Sequence, residues 1–248
     1  MKEVYIAYFD FLGFKEFILN NENEVVDIRM NHIFRDIQMA LGQGNYNEPR
    51  NGIITPNFTN SKINCLNISD TVVFWTNDAK FDSMRELFNV AYEFNWKQNL
   101  FNFPLRGAVI KGKIKIVNSN SENLKGATFG INCLYGEGIV NAHLKAESQN
   151  WAGTVIDDSA LADFSTMEEM KKFIDVYAVK CSVPYKNNLK KSDEYVFRFT
   201  KGKITKVAFE KYSNSITRVF SQDNKPTDNS SVQIKIQNTK NFLKSFIE

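Results

Sequence analysis

The sequence predicts an α+β fold: an antiparallel sheet with flanking helices in a ferredoxin-like or palm arrangement, with a C-terminal α/β extension. Three observations carry this. Strand-like and helix-like apolar periods follow one another as β-α-β-β-α-β, and a further helix and strand come after. The 248 residues are 43% hydrophobic and 24% charged, with 21 phenylalanines, which suffices for one large core. No segment repeats internally, which excludes solenoids and propellers.

Each element has its own warrant. Residues 4–9 are β-branched and aromatic and read as a buried strand, ending at the turn Asp10-Phe11-Leu12-Gly13-Phe14. Helical spacing follows over 16–41, broken near the Asn20–Asn23 cluster, and the Gly-, Asn- and Pro-rich stretch 42–60 reads as loop. Residues 63–75 form two strands about a turn at Ser69-Asp70. Met84, Leu87, Phe88, Ala91 and Tyr92 mark one face of an amphipathic helix. Pro104 opens a strand over 105–110 that continues through 113–117; 118–126 reads as polar loop, and 130–138 as a glycine-punctuated approach to a short helix at 139–147. A strand at 154–156, a helix over 158–173 and a strand over 175–183 come next. A hairpin of 195–199 with 203–209 about Lys201-Gly202 follows, then a final helix over 232–247.

Composition also excludes function classes. A net charge of +3 is too weakly basic for a dedicated nucleic-acid binder. No apolar run spans a bilayer, and Asp10 and Glu16 interrupt the apolar N-terminal stretch, unlike a secretory signal. Cys65, Cys133 and Cys181 form no C-x-x-C and read as small buried hydrophobes in a reducing compartment, so a cytoplasmic protein is expected. With only His32 and His143, no histidine metal cluster can be built, and His143 reads as structural or solvent-facing. Walker and Rossmann glycine motifs are absent.

The carboxylates are the chemical signal. Asp10 and Asp70 each end or interrupt an apolar strand, where an unpaired carboxylate is costly to desolvate. Read singly, Asp10 caps the next helix and Asp70 makes a turn. In this topology the end of the first strand lies beside the turn between the second and third, so the two can meet. Paired carboxylates suit a hard divalent cation, Mg²⁺ or Mn²⁺, as phosphoryl chemistry requires. Arg106, Lys111 and Lys145 offer charge for a polyphosphate; Arg106, inside an apolar strand, needs an anionic partner, which a buried salt bridge would also supply. Asn141 and Lys145, four residues apart, share a helix face, which suits an oxyanion as well as an ordinary solvated surface.

Together these segments resemble the class III nucleotidyl cyclase catalytic domain over roughly residues 4–160. Tyr8-Phe9-Asp10-Phe11-Leu12-Gly13-Phe14 is similar to its first metal-aspartate strand. Ile68-Ser69-Asp70-Thr71 is similar to its second metal hairpin, with Ser69 where glycine is usual. Leu105-Arg106-Gly107-Ala108 resembles the triphosphate-contacting strand, and the segment from Val140 to Ser148 aligns on the V-N helix, with Lys145 replacing its arginine. The purine-reading lysine is replaced by Leu66, and no carboxylate stands from Cys133 to Tyr135. The chain is most similar to Pycsar pyrimidine cyclases, bacterial antiphage enzymes whose cyclic product activates a separate effector.

The resemblance implies a cyclase core over 1–165, completed by C-terminal strands and a helix over 166–248. It implies a homodimer with composite sites. Asp10, Asp70 and the Phe11 carbonyl of one subunit would hold two Mg²⁺ or Mn²⁺ ions, and Arg106 would bind the β- and γ-phosphates. Asn141 and Lys145 would act from the partner, and Tyr135, Asn67 and Asn64 are candidates for reading the base. The implied substrate is UTP, with CTP next, and neither nucleic acid nor membrane is an expected partner. The alternatives are a cyclase making cyclic CMP or a purine product, an inactive regulator of the same fold that binds a nucleotide or a partner, or a palm-like nucleic-acid enzyme.

Overall fold

The computed structural model describes residues 1–186 and 193–248. Its spine is β1 (Lys2–Phe11), a ten-residue strand whose alternating faces are both buried. Tyr5, Ala7 and Phe9 pack towards one layer; Val4, Ile6 and Tyr8 pack towards the other. β1 is therefore central and reads as a continuous apolar run. It pairs antiparallel with β3 (Thr71–Trp75) and with β4 (Leu105–Glu122). β2 (Asn64–Ile68) lies outside β3. Beyond β4 come β6 (Gly153–Ile156), β8 (Asp193–Phe197) and β7 (Ala178–Ser182), giving the order β2-β3-β1-β4-β6-β8-β7. Among the described strands, only β4 and β6 run parallel; β5 (Thr128–Tyr135) pairs with the outer half of β4.

Helices cover both faces. After α1 (Phe14–Leu19), helices α2 (Asn23–Gly42) and α3 (Phe81–Phe101) bury Ile33, Ile37, Leu87, Phe88 and Phe94 over the face that holds Phe9. Phe9 meets Phe94 edge-on at a centroid distance of 5.2 Å. α4 (Glu137–Glu147) covers the opposite face through Ala142 and Ala146. It can lie there because Gly112 and Gly138 touch: a Cβ on Gly112 would stand 2.7 Å from the Gly138 Cα. Two short helices, α5 (Asp158–Leu161) and α6 (Met167–Ile174), precede β7. α7 (Lys206–Ser221) and α8 (Ser230–Lys244) close the far side. Ile216, Val219, Phe220 and Phe242 share a buried cluster there with Trp151, Val155 and Val196.

Four sequence expectations need correction. Residues 118–122 belong to β4, and with β5 they form a two-stranded arm. Much of its surface is solvated, so no apolar alternation was required of it. The 203–209 strand does not exist: Thr205 caps α7 through the Ala208 amide, and β8 pairs with β7 instead. Phe209, Tyr212, Ile216 and Val219 keep the helical spacing that the shorter alternation of 203–209 obscured. The helix expected over 158–173 is two helices, separated before Thr166, which caps α6 through the Glu169 amide. Cys133 is exposed on β5, whereas burial pushes the Cys65 and Cys181 thiols up to about 12. The break near Asn20 and the Ser69-Asp70 turn lie where the sequence places them. Among the described residues, no helix is long and apolar enough to cross a membrane.

Candidate active site

The edge where β1 ends gathers the two carboxylates. Asp10 is register partner to Thr71 on one side and to Arg106 on the other. The Phe11 amide donates to the Asp70 carbonyl at 2.8 Å, which locks the β2–β3 turn against the end of β1. That turn is tight enough to hold Ser69 at φ +54°, a left-handed conformation that favours glycine. Asn67 supports it by donating its side-chain amide to the Thr71 carbonyl at 2.9 Å. The pairing of β1 with β3 thus brings together residues 60 positions apart, as the topology predicts.

Asp10 is partly buried and charged on two sides. Arg106 Nε donates to its Oδ2 at 2.7 Å, while Arg106 Nη1 reaches the Glu147 carbonyl at the end of α4, at 2.9 Å. Burial pushes the Asp10 carboxyl above the usual range, and Asp70 adds to this by like-charge repulsion; Arg106 opposes both. A carboxylate that remains hard to ionise beside an arginine lies in a field that a further cation would relieve.

A cavity of about 490 Å³ opens here, lined by Asp10, Phe11, Asp70 and Arg106. Its remaining wall comes from 12–16 and from the C-terminal region, including Lys186, Phe220, Lys225, Asn229 and Lys235. The cation implied by the resemblance can be tested against this donor set. Among the described residues, no group of three or more His, Cys, Asp or Glu side chains could hold an ion. Two carboxylates and the Phe11 carbonyl nevertheless fit Mg²⁺ or Mn²⁺, which commonly take one or two carboxylates and complete their shell with water and substrate phosphate.

Other sequence candidates lie elsewhere. Lys145 pairs with Glu194, and with Asp157 at 3.4 Å. Asn141 is exposed on α4. Tyr135 is 39% exposed at the end of β5, opposite Lys115. None of these three lines the cavity within one chain. Lys111 is committed to Asp163 and Glu3 at 2.8 and 3.2 Å. Asn64 bonds Asn77 and the Trp75 carbonyl, holding β2 in place. His143 has a structural contact: its Nδ1 lies 3.0 Å from the Tyr8 hydroxyl, tying α4 to β1. Sequence reading did not single out Lys186, Lys225 and Lys235, whose short-range context is ordinary polar chain.

No protein-family model and no curated protein matches the chain. Solved structures do. The catalytic core of a rhodopsin-guanylyl cyclase with converted specificity, in complex with ATPalphaS, aligns with a TM-score of 0.50 and 12% identity, over 79% of this chain and 94% of that one. The guanylate cyclase domain of RhGC from Catenaria anguillulae, in complex with GTP, gives 0.47 and 12% over 79% and 93%. A dimeric guanylyl cyclase domain of the RhoGC fusion protein from Blastocladiella emersonii gives 0.47 and 13% over the same shares. The first of these establishes the fold: a mixed α+β sheet with flanking helices, as in nucleotidyl cyclase catalytic domains.

Proposed function

We propose that the chain is a nucleotidyl cyclase whose substrate is a pyrimidine nucleoside triphosphate, UTP before CTP, and whose products are the 3′,5′-cyclic monophosphate and pyrophosphate. The observation that carries this is the convergence of Asp10, Asp70 and Arg106 on one cavity, in a fold shared with a guanylyl cyclase catalytic core. Asp10, Asp70 and the Phe11 carbonyl would hold Mg²⁺ or Mn²⁺, two ions per site. Held there, the metal would supply Lewis acidity toward the ribose 3′-hydroxyl and would offset phosphate charge. Arg106 neutralises Asp10 in the ligand-free chain and presents a planar fork of donors that suits phosphate oxygens.

Asn141 and Lys145 belong to the partner's half of a composite site in a homodimer, which fits the exposure of Asn141 and the absence of both from the cavity within one chain. There Asn141 orients the ribose and Lys145 stabilises the charge that builds on phosphorus. Pyrimidine choice rests on Leu66 and on the stretch 133–135, which lacks a carboxylate; Tyr135 is the candidate base contact. The product would act as a bacterial antiphage second messenger on a separate effector in the cytoplasm.

The test is purified protein with UTP, CTP, ATP or GTP and Mg²⁺ or Mn²⁺, with products resolved by mass spectrometry. A cyclic pyrimidine monophosphate that disappears in Asp70→Ala is the expected result. A cyclic purine product would overturn the base assignment. Nucleotide binding without any product would replace the enzyme with a nucleotide-binding regulator of the same fold.

A further inference from the structure

We propose that the segment joining α7 to α8 and the first turns of α8 build the polyphosphate-binding end of this cavity from the same chain, with Lys225 and Lys235 as its anion-binding side chains. This rests on reading the cavity as a nucleotide site. It assigns to the C-terminal region a direct contact with substrate.

Lys225 is the key observation. Its side chain is only 3% exposed, and among the described residues its Nζ has no hydrogen-bond partner. The nearest carboxylate oxygen, Asp223 Oδ2, is 4.0 Å away and already accepts from Arg29 Nε at 2.8 Å. The ammonium instead lies 3.9 Å from the centroid of the Phe103 ring. A cation–π contact returns only part of what it costs to desolvate an ammonium. The stem is accommodated because residue 13 is glycine: a Cβ there would stand 3.1 Å from the Lys225 Cδ, and the backbone is at φ +80°. The D-F-L-G-F turn that carries Asp10 therefore also admits Lys225, and both residues line one cavity.

Lys235 reaches the same cavity from the first turns of α8, its Nζ 2.8 Å from the Ser231 hydroxyl oxygen. Among the described residues, five basic side chains line the cavity, Lys15, Arg106, Lys186, Lys225 and Lys235, against the carboxylates of Asp10, Glu16 and Asp70. Arg106 already occupies Asp10. On the C-terminal wall Lys186 lies 3.7 Å from Glu147, Lys225 faces an Asp223 already engaged by Arg29, and Lys235 bonds only the neutral Ser231, so Lys225 and Lys235 are left short of negative charge that a multiply charged anion would supply. A polyphosphate chain provides several oxygens for separate ammonium groups; a single carboxylate does not. Free polyphosphate and the phosphate chain of a nucleotide share this chemistry, and the ligands below separate them.

The test is calorimetric titration of the full chain in EDTA with inorganic tripolyphosphate, UTP and UMP, alongside steady-state turnover with metal. Tripolyphosphate and UTP should bind, with UMP weaker. Lys225→Met should cost about tenfold or more in affinity for both and leave UMP unchanged, the size expected when a charged hydrogen bond is lost. Lys235→Gln, at a half-buried position, should act in the same direction without threatening the fold. Tripolyphosphate binding as tight as UTP would assign the affinity to the phosphate chain; tighter UTP would add a nucleoside contact, and either supports the clamp. Unchanged tripolyphosphate affinity and unchanged KM in both folded variants would overturn it while leaving a turning-over wild type as a cyclase. A wild type that binds tripolyphosphate through Lys225 but converts no nucleotide would support the clamp and overturn the cyclase reading. Binding of neither tripolyphosphate nor UTP would overturn both.

Discussion

Arg106 Nε donates to Asp10 Oδ2 at 2.7 Å, across a register pair of β4 and β1. Both side chains are largely shielded, at 13% and 17% exposure. The pair gives the strand pairing a polar lock, and Arg106 offsets part of the burial that pushes the Asp10 carboxyl up. Asp10→Ala should eliminate turnover and also lower stability, because Arg106 is left without its carboxylate. A double-mutant cycle with Arg106→Ala should return a coupling of about 1–3 kcal/mol in urea denaturation. Strict additivity would mean that the contact contributes nothing to the fold.

Asp70 should behave differently. Its structural contact is made by the backbone, the Asp70 carbonyl accepting from the Phe11 amide, and alanine keeps that bond. Asp70→Ala is expected to lose at least about 10³-fold in turnover while stability stays within about 0.5 kcal/mol. Normal turnover in the folded variant would remove Asp70 from the chemistry.

The turn before it stores a small strain. Ser69 sits at φ +54°, a conformation that costs an L side chain about 1 kcal/mol and glycine little. Part of the gain from Ser69→Gly returns as entropy of the unfolded chain. The variant should be stabilised by roughly 0.5 kcal/mol in chemical denaturation. Destabilisation would show that the hydroxyl or local context compensates for the backbone.

Lys145 bridges α4 to Asp157 and Glu194, so its substitution tests two functions at once. Lys145→Ala should cost about 1–3 kcal/mol of stability by stripping that ion-pair network. If Lys145 serves a composite site, mixing Lys145→Ala with Asp70→Ala protomers should restore activity in heterodimers, one intact site per pair. Verified heterodimers without recovery would confine Lys145 to its ion pairs.

How far the sequence shows the site depends on what each residue must do locally. Asp10 and Asp70 are legible because each breaks an apolar strand, and strand order then places them together. Arg106 is legible for the same reason, an arginine between Leu105 and Gly107 that needs an anion. Lys225 is not: its neighbours Asn224 and Pro226 describe an ordinary turn, and its burial comes from Gly13 and Phe103, more than 100 positions away. The β4–β5 arm was missed for the opposite reason. With Ser119, Asn120 and Ser121 exposed, nothing selects apolar alternation, although the backbone ladder is complete.

The pH dependence of folding supplies an independent check on Lys225. Burial pushes its ammonium down from 10.5 to about 8; the charge of Arg29 acts in the same direction, and Asp223 opposes it. At pH 7 the lysine is charged in both folded and unfolded chains, so the burial cost is fully present. Between about 8 and 10.5 the unfolded chain binds the extra proton, and the contribution of this residue to stability rises with pH. Lys225→Met should therefore stabilise the chain at pH 7, by roughly 2–3 kcal/mol, and flatten the rise expected of the wild type above pH 8. Urea denaturation at pH 7, 9 and 10 reads both effects. A less stable Met variant at pH 7 would mean that Phe103 and Asp223 satisfy the ammonium within the fold. A more stable variant with weakened tripolyphosphate binding would show a lysine retained at the expense of stability because a ligand completes its environment.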